Sequence, residues 1–264
     1  MSGATTTALG ATAAVGIAAA AWRARSLDAA GAVAAVVLGT LAAAAGAGWA
    51  ALLVAYFVTS AALSRLGRTV KAARTSTVVA KGGARDARQV LANGGVFGGC
   101  AAGALFWPDA AWGAAAAGAL AASAADTWAT EIGTWVGGAP RHVLTWRRLE
   151  VGMSGGVTWA GSAAMLAGAV AIAAAARSLG VASAVAAVAA GGVAGAMTDS
   201  IAGATAQERR RCLACGAATE QDPHQCGGAT RIERGVAGIG NDLVNLVATI
   251  TGAAVAAWAA SHIG

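Results

Sequence analysis

The stretch that decides the fold is AAWGAAAAGALAASAADTWATEIG, residues 110–133. It contains almost only small and apolar residues until its last eight positions, which include Asp126 and Glu131. A segment of this length can cross about 30 Å of hydrocarbon as a helix. Ionisable side chains inside a bilayer are costly and are usually retained for function. The stretch therefore predicts a membrane-spanning helix that carries functional carboxylates near one end.

The composition of the whole chain agrees with this interpretation. Of its 264 residues, 57% are hydrophobic and only 11% are charged, against about 25% charged in soluble domains. Apolar segments of roughly 18 to 24 residues recur, and they lack the polar stripe that a soluble helical bundle would need. We predict an all-α polytopic membrane protein that forms one transmembrane domain over residues 1–264. The eight predicted spans are 4–21, 28–46, 48–64, 88–107, 110–133, 155–176, 181–205 and 236–260.

The basic residues predict the orientation of these spans. The loops at 22–27, 65–88, 134–154 and 206–235 hold 17 of the 18 Lys and Arg residues, and only Arg177 lies on the other side. The positive-inside rule makes the four loops cytoplasmic and puts both termini outside. We expect a multi-pass protein of the plasma membrane. We attribute its net charge of +6 to membrane topology and to contact with lipid head groups, and we expect no nucleic acid as a partner.

Polar residues converge at the cytoplasmic ends of four predicted spans. They belong to the segments RDARQVLANGG (85–95), DTWATEIG (126–133), MTDSIAGATAQE (197–208) and GIGNDLVNLV (238–247). In the predicted topology all four segments lie at one level of the membrane. This convergence favours an active site that faces the cytoplasm, rather than a transport path with polar groups spread across the bilayer.

The residue types at this level point to phosphate chemistry. The carboxylates Asp126, Glu131, Asp199 and Asp242 are hard oxygen ligands suited to Mg²⁺. Arg85 and Arg88, with Lys81 nearby, suit phosphate, because a guanidinium group binds phosphate through two hydrogen bonds. The amides of Asn93, Asn241 and Asn245 can donate to phosphate or contact a nucleotide. Such a set favours an enzyme that joins a water-soluble nucleotide to a lipid phosphate, with Mg²⁺ as cofactor.

Helical spacing orders some of these side chains. Arg85, Gln89 and Asn93 follow one another at four-residue intervals and therefore share a helical face. Asp126 and Glu131 lie roughly 140° apart around a helix. Either one of these carboxylates faces the site and the other faces a neighbouring helix, or the helix ends between them.

The cytoplasmic loop 206–235 contains the segment CLACGAATEQDPHQC (212–226). Cys212, Cys215, His224 and Cys226 form a complete set of four zinc ligands, and the first pair has the spacing of a zinc knuckle. We predict a small structural zinc subdomain without a catalytic role, because four protein ligands leave no open position on the metal. Free thiols and a redox role are the alternatives. Cys100, within the fourth span, is interpreted as packing.

Five segments, in order along the chain, resemble the motifs of a membrane protein family. They are RQVLANGG, DTWATEIG, GMSGGVTWAGSAA (152–164), GAMTDSIAGATAQ (195–207) and NDLVN (241–245). The family is an integral-membrane family catalogued as a domain of unknown function, and it includes the plant phytyl-phosphate kinase. The resemblance covers about residues 28–260.

This resemblance implies a kinase that converts an isoprenoid monophosphate, such as a prenyl or phytyl phosphate, to the diphosphate. The donor would be a nucleoside triphosphate, and CTP is favoured because related lipid kinases use it. The site residues that the motifs imply are Arg88, Gln89, Asn93, Asp126, Glu131, Ser154, Asp199, Ser200, Asn241, Asp242 and Asn245. Met153 and Ser154 depart from the usual motif, which often has Asn and Gly after the equivalent of Gly152.

Other functions remain open at this stage. A lipid-phosphate nucleotidyl transferase would use the same residues, and only its product would distinguish it. A transporter would need polar groups through the depth of the bilayer, and a scaffold would need no buried carboxylates. The sequence leaves the oligomeric state open, with a homo-oligomer among the alternatives.

Overall fold

The computed structural model describes residues 3–79 and 83–263, which are mostly helical. The helices are α1 (Gly3–Arg23), α2 (Ala29–Ala45), α3 (Ala47–Arg65), α4 (Arg68–Thr75), α5 (Ala87–Phe106), α6 (Ala110–Val136), α7 (Trp159–Ser178), α8 (Val185–Thr205) and α9 (Asn241–Ile263). The short strands are β1 (Arg141–His142), β2 (Gly156–Val157), β3 (Arg209–Cys212), β4 (Ala218–Thr219) and β5 (Thr230–Arg234).

Eight of the helices in this part of the chain coincide with the eight predicted spans to within five residues at either end. Within residues 3–79 and 83–263, five helices are long and apolar enough to cross a membrane, namely α3, α5, α7, α8 and α9. The α2 helix is apolar but has 17 residues. An integral membrane protein with several spans is thus supported, whereas crossing by all eight helices and the external termini stay predictions.

Local sequence signals explain where several helices begin. Asp28, Asp86 and Asp109 cap α2, α5 and α6, and each side chain accepts a hydrogen bond from a backbone N–H of the first turn. Thr158 caps α7 in the same way. The predicted start of the sixth span at 155 was therefore early, because Gly155 has a φ of +79° and cannot belong to a helix.

Three features of the fold differ from the sequence-based expectation. The α4 helix lies in a segment that was predicted to be loop, because its Arg and Lys residues carry no apolar run. The loop 206–235 contains β3, β4 and β5, which form an antiparallel sheet in the order β4–β3–β5. The last long helix begins at Asn241 rather than 236, since Gly238 adopts a φ of +84°.

The α6 helix is the centre of the bundle. It contacts α3, α4, α5, α7, α8 and α9, and its residues from 113 to 125 are all buried. Gly118 and Gly252 let α6 and α9 approach closely, since a Cβ added at Gly252 would lie 2.6 Å from the Gly118 carbonyl oxygen. Small residues permit such backbone contact between helices in a membrane. This contact holds the amino-terminal half of α6 against α9.

Candidate functional site

A polar cavity of about 730 Å³ lies where the amino ends of α5 and α9 meet the carboxyl ends of α6 and α8. Loop residues between α6 and α7 and between α8 and α9 complete its wall. The predicted site residues that line it are Arg85, Arg88, Gln89, Asn93, Asp126, Glu131, Ser154, Asp199, Ser200, Asn241, Asp242 and Asn245. Lys81, also predicted, lies outside the described residues. The structure thus brings every predicted residue of this set that it describes to one cavity, whereas their roles stay predictions.

The amino end of α5 is fixed by a capping box. The Gln89 N–H donates to Asp86 Oδ1 at 2.9 Å, and the Asp86 N–H donates to Gln89 Oε1 at 3.2 Å. One turn later, Asn93 Nδ2 donates to the Gln89 carbonyl oxygen, and Asn93 Oδ1 accepts from Ser123 Oγ at 3.2 Å. The predicted polar face of α5 therefore lines the cavity and also holds α5 against α6.

Three aspartates approach the cavity from three helices. Asp126 is on α6, Asp199 is on α8, and Asp242 is in the first turn of α9. Asp199 Oδ2 is buried and has no hydrogen-bond partner among the described residues. A buried carboxylate oxygen without a partner is costly. A cation bound in the cavity would satisfy it, and carboxylate oxygens are the ligands that Mg²⁺ uses.

Glu131 has a different environment from the aspartates. Its Oε1 accepts from Ser64 Oγ at 2.6 Å, and its Oε2 forms an ion pair with Lys71 Nζ. Lys71 lies on α4 and is buried; its ammonium group also donates to the carbonyl oxygens of Leu63 and Ser64. Both oxygens of Glu131 thus bind protein groups, and Lys71 is a residue that the sequence analysis did not select.

Arg85 occupies a fixed position beside this ion pair. Its Nη2 donates to Ser64 Oγ at 3.2 Å. Its backbone N–H donates to the Ser26 carbonyl oxygen at 3.0 Å, and its carbonyl oxygen accepts from the Asp28 N–H at 3.1 Å. These bonds tie the segment before α5 to the start of α2, so the Arg85 guanidinium is held at the cavity wall.

Glu220 is a further acidic residue of the cavity that sequence reasoning missed. Its carboxylate accepts from the Ser154 N–H at 3.2 Å and from Gln207 Nε2 at 3.1 Å. Burial raises the pKa of the Glu220 carboxyl above its usual value. Ser154, whose motif departs from the family pattern, contributes its backbone N–H here. Glu220 lies inside the cysteine-containing segment, where no periodic pattern distinguished it from a zinc-loop residue.

An apolar groove of about 320 Å³ adjoins the polar cavity. Its walls come from α1, α2, α3 and α5 and consist largely of Ala, Gly, Leu and Val. Arg85, Gln89, Asn93 and Thr127 line both spaces, so the groove meets the polar cavity at the amino end of α5. Ile17 of α1, one of the residues that line this groove, is exposed.

The four predicted zinc ligands also come together. Cys212 ends β3, Cys215 lies in the turn that follows, and His224 and Cys226 lie between β4 and β5. The ligand atoms of these four residues all lie within 4.8 Å of one another. None of these four residues lines the polar cavity, but Glu220, which does, lies between Cys215 and His224 along the chain.

Comparisons with known proteins agree with this architecture. The curated protein PGR of Arabidopsis thaliana is 31% identical to this chain over 160 residues, which is 55% of each chain. The chain thus spans about half the length of that relative. No solved structure matches it. The family model described as integral membrane protein DUF92 matches residues 12–253, which is most of the chain. The protein therefore belongs to the DUF92 family of integral membrane proteins.

Proposed function

We propose that this protein is a membrane kinase that phosphorylates an isoprenoid monophosphate to the diphosphate. The donor would be a nucleoside triphosphate, with CTP favoured by the resemblance to lipid kinases. The isoprenoid chain would lie in the apolar groove, and both phosphate groups would meet in the polar cavity, on the cytoplasmic side of the plasma membrane.

The observation that carries this proposal is the shared wall between the groove and the cavity. A substrate for such a site needs an apolar chain joined to an anionic head. Arg85 lies at the junction, where it can bind the phosphate of a lipid whose chain lies in the groove. The groove volume of about 320 Å³ is within the range of about 300–1,000 Å³ typical of ligand pockets.

The proposed reaction needs positioning more than a strong base. An oxygen of the isoprenoid monophosphate attacks the γ-phosphorus of the nucleotide, and the bond between that phosphorus and the β–γ bridging oxygen breaks. The products are the isoprenoid diphosphate and the nucleoside diphosphate. The attacking oxygen already carries negative charge. Arg85 and Arg88 would hold the anionic groups close together, which mutual repulsion otherwise opposes.

The aspartates fit a magnesium site better than Glu131 does. Asp126, Asp199 and Asp242 would hold Mg²⁺, and Asp199 Oδ2 has no other partner among the described residues. Magnesium neutralises charge on the phosphates of a bound nucleotide. Because Lys71 and Ser64 engage both oxygens of Glu131, we assign Glu131 to positioning the end of α6. The amides of Asn241 and Asn245 would contact the nucleotide.

The test is a product analysis. The protein purified in detergent is mixed with Mg²⁺, geranylgeranyl or phytyl phosphate, and each of CTP, ATP, GTP and UTP in turn. Mass spectrometry of the lipid product should find the isoprenoid diphosphate. A lipid joined to a nucleotide would instead identify a nucleotidyl transferase. No product with any donor, from protein that is folded, would reject both enzymes for these lipids and lead to transport assays.

A further inference from the structure

We infer that Cys212, Cys215, His224 and Cys226 bind one zinc ion, and that this ion holds the sheet which presents Glu220 to the polar cavity. The inference does not depend on the proposed kinase activity, because metal content and loop order are measured without turnover. It concerns the segment between α8 and α9, which supplies wall residues to the cavity in addition to those from the helices.

The distances within the cluster are close to those of a tetrahedral site, and all four ligand atoms lie within 4.8 Å of one another. Cys212 Sγ and Cys226 Sγ are 3.5 Å apart, and Cys215 Sγ and Cys226 Sγ are 3.8 Å apart. His224 Nδ1 lies 3.5 Å from Cys215 Sγ and 3.1 Å from Cys226 Sγ. A zinc ion bonded to sulfur at about 2.3 Å and to nitrogen at about 2.0 Å separates its ligands by about 3.5–3.8 Å. The four atoms therefore surround a space of the right size for this ion.

The backbone around the cluster has the shape that such ligands need. Gly216 has a φ of +73° and its N–H donates to the Cys212 carbonyl oxygen at 3.0 Å, which closes the turn between the first two cysteines. Gly228 packs against the sulfurs, since a Cβ there would lie 2.8 Å from Cys212 Sγ. Four protein ligands complete the coordination of zinc, so the site is structural.

The sheet next to the cluster contacts the polar cavity directly. The Glu220 N–H, just after β4, donates to the Val78 carbonyl oxygen at 2.9 Å. Gln221 Nε2 donates to the carbonyl oxygens of Ser76 and Val79. Val78, Met153 and Ala218 pack into a small buried cluster beneath this contact. The segment after α4, the Met153 loop and β4 are thereby joined into the wall that carries the Glu220 carboxylate.

A structural metal is the expected way to stabilise a sheet this small. The strands β3, β4 and β5 have four, two and five residues, and a few short strands alone are marginal in water. Zinc binding supplies folding free energy outright in such modules. We therefore expect the order of this sheet, and the position of Glu220, to depend on the ion.

The first experiment is elemental analysis of the full-length protein purified in detergent. We expect one zinc per chain in the wild type and in Cys100→Ala, whose cysteine is buried in α5 away from the cluster. The double variant Cys215→Ser/Cys226→Ser should lose the zinc. X-ray absorption should give three sulfurs and one nitrogen around the metal. A wild type without zinc, or a double variant that retains it, would overturn the inference, as would a disulfide between these cysteines detected by mass.

The second experiment tests whether the ion orders the sheet. Arg231 and Arg234 on β5 give trypsin two exposed sites within it. Because zinc binding is coupled to folding in such modules, chelation should speed cleavage at these arginines at least about tenfold in the wild type, and added zinc should reverse the effect. Cys100→Ala should respond like the wild type, and Cys215→Ser/Cys226→Ser should be cut rapidly with or without chelator. Equal cleavage of the wild type in both conditions would refute the structural role of the metal.

Discussion

Lys71 on α4 and Glu131 on α6 form a buried ion pair beside the polar cavity, and Ser64 donates a further hydrogen bond to the same carboxylate. The Lys71 side chain is 9% exposed to solvent and the Glu131 side chain is 21% exposed. Removing one partner of a buried pair leaves an uncompensated charge, which costs about 3–5 kcal/mol. The pair therefore fixes the short α4 helix to the end of the central helix.

The first prediction concerns this pair. Lys71→Met should lower the free energy of unfolding in detergent by about 2–4 kcal/mol, because Glu131 is then buried without its partner. The double variant Lys71→Met/Glu131→Gln should recover part of the loss. Glu233→Gln, which breaks the more exposed pair with Arg211, should change stability by less than about 1 kcal/mol.

One outcome would reverse our assignment of Glu131 to positioning. If Glu131→Gln leaves stability unchanged but abolishes turnover, the carboxylate acts at the reaction centre, as a magnesium ligand. Glu131 was predicted as a magnesium ligand from its residue type, and helical spacing left open which of Asp126 and Glu131 faces the site. The deciding residue, Lys71, lies in a segment that the sequence analysis treated as loop.

The second prediction concerns the contact between α6 and α9. In Gly252→Ala the new methyl group would lie 2.6 Å from the Gly118 carbonyl oxygen and 2.7 Å from Ala122 Cβ. Only a shift of α9 relieves this overlap, so we expect a loss of about 1–3 kcal/mol in unfolding free energy.

Gly99→Ala on α5 is the matched control for Gly252→Ala. A Cβ at Gly99 has no neighbour within 4 Å among the described residues, so the variant should be neutral or gain up to about 1 kcal/mol from helix propensity. Equal thermal denaturation midpoints for Gly252→Ala and the wild type would contradict the described packing of α9 on α6.

The third prediction tests the groove as the site of the isoprenoid chain. Ala51 on α3 lines the groove, and Ala51→Phe should fill part of it. Turnover with geranylgeranyl phosphate should fall at least about tenfold relative to turnover with the shorter geranyl phosphate. In a hydrophobic pocket, one methylene group more or less in the substrate already changes the rate by about tenfold or more.

Val58→Phe provides the control on the same helix. Val58 is exposed and does not line the groove, so its turnover ratio for the two lipids should match the wild type. If both variants keep the wild-type ratio while the enzyme is active, the chain binds elsewhere and the groove has no part in substrate choice.

The fourth prediction separates catalysis from stability at Asp199. Asp199→Asn removes a charge that the described residues do not pair, so stability should be unchanged or higher. Turnover should fall at least about 100-fold, because a ligand of the proposed magnesium site is lost. Asp109→Asn is the control, because it makes the same substitution at the N-cap of α6, outside the cavity, where Asn can also cap the helix. Its turnover should equal that of the wild type. A folded Asp199→Asn protein with wild-type turnover would remove Asp199 from the site.

The site could be predicted from the sequence to the extent that its residues lie on long helices. Asp126, Asp199 and Asn241 lie at the ends of apolar runs that are long enough to be recognised as membrane spans. Their helices, and their position at one common level, were therefore predictable. The one-sided distribution of Lys and Arg over the loops predicts which side of the membrane this level faces, and that orientation stays a prediction.

The missed parts of the site depend on tertiary contacts that have no local signal. Lys71 becomes buried only because α4 packs on the end of α6. Glu220 reaches the cavity only because the β4 segment binds the backbone at Val78. Neither a charged eight-residue helix nor a two-residue strand has a periodicity that distinguishes it from loop.

The most direct measurement is the transfer of label from the γ-phosphate of CTP to geranylgeranyl phosphate by the purified protein in the presence of Mg²⁺. The proposal predicts that the wild type moves the label into the lipid phase as the diphosphate, and that Asp199→Asn, though folded, does not. Folded wild-type protein that leaves all the label in the aqueous phase, with CTP and with each other nucleoside triphosphate labelled in the same way, would contradict the proposed kinase.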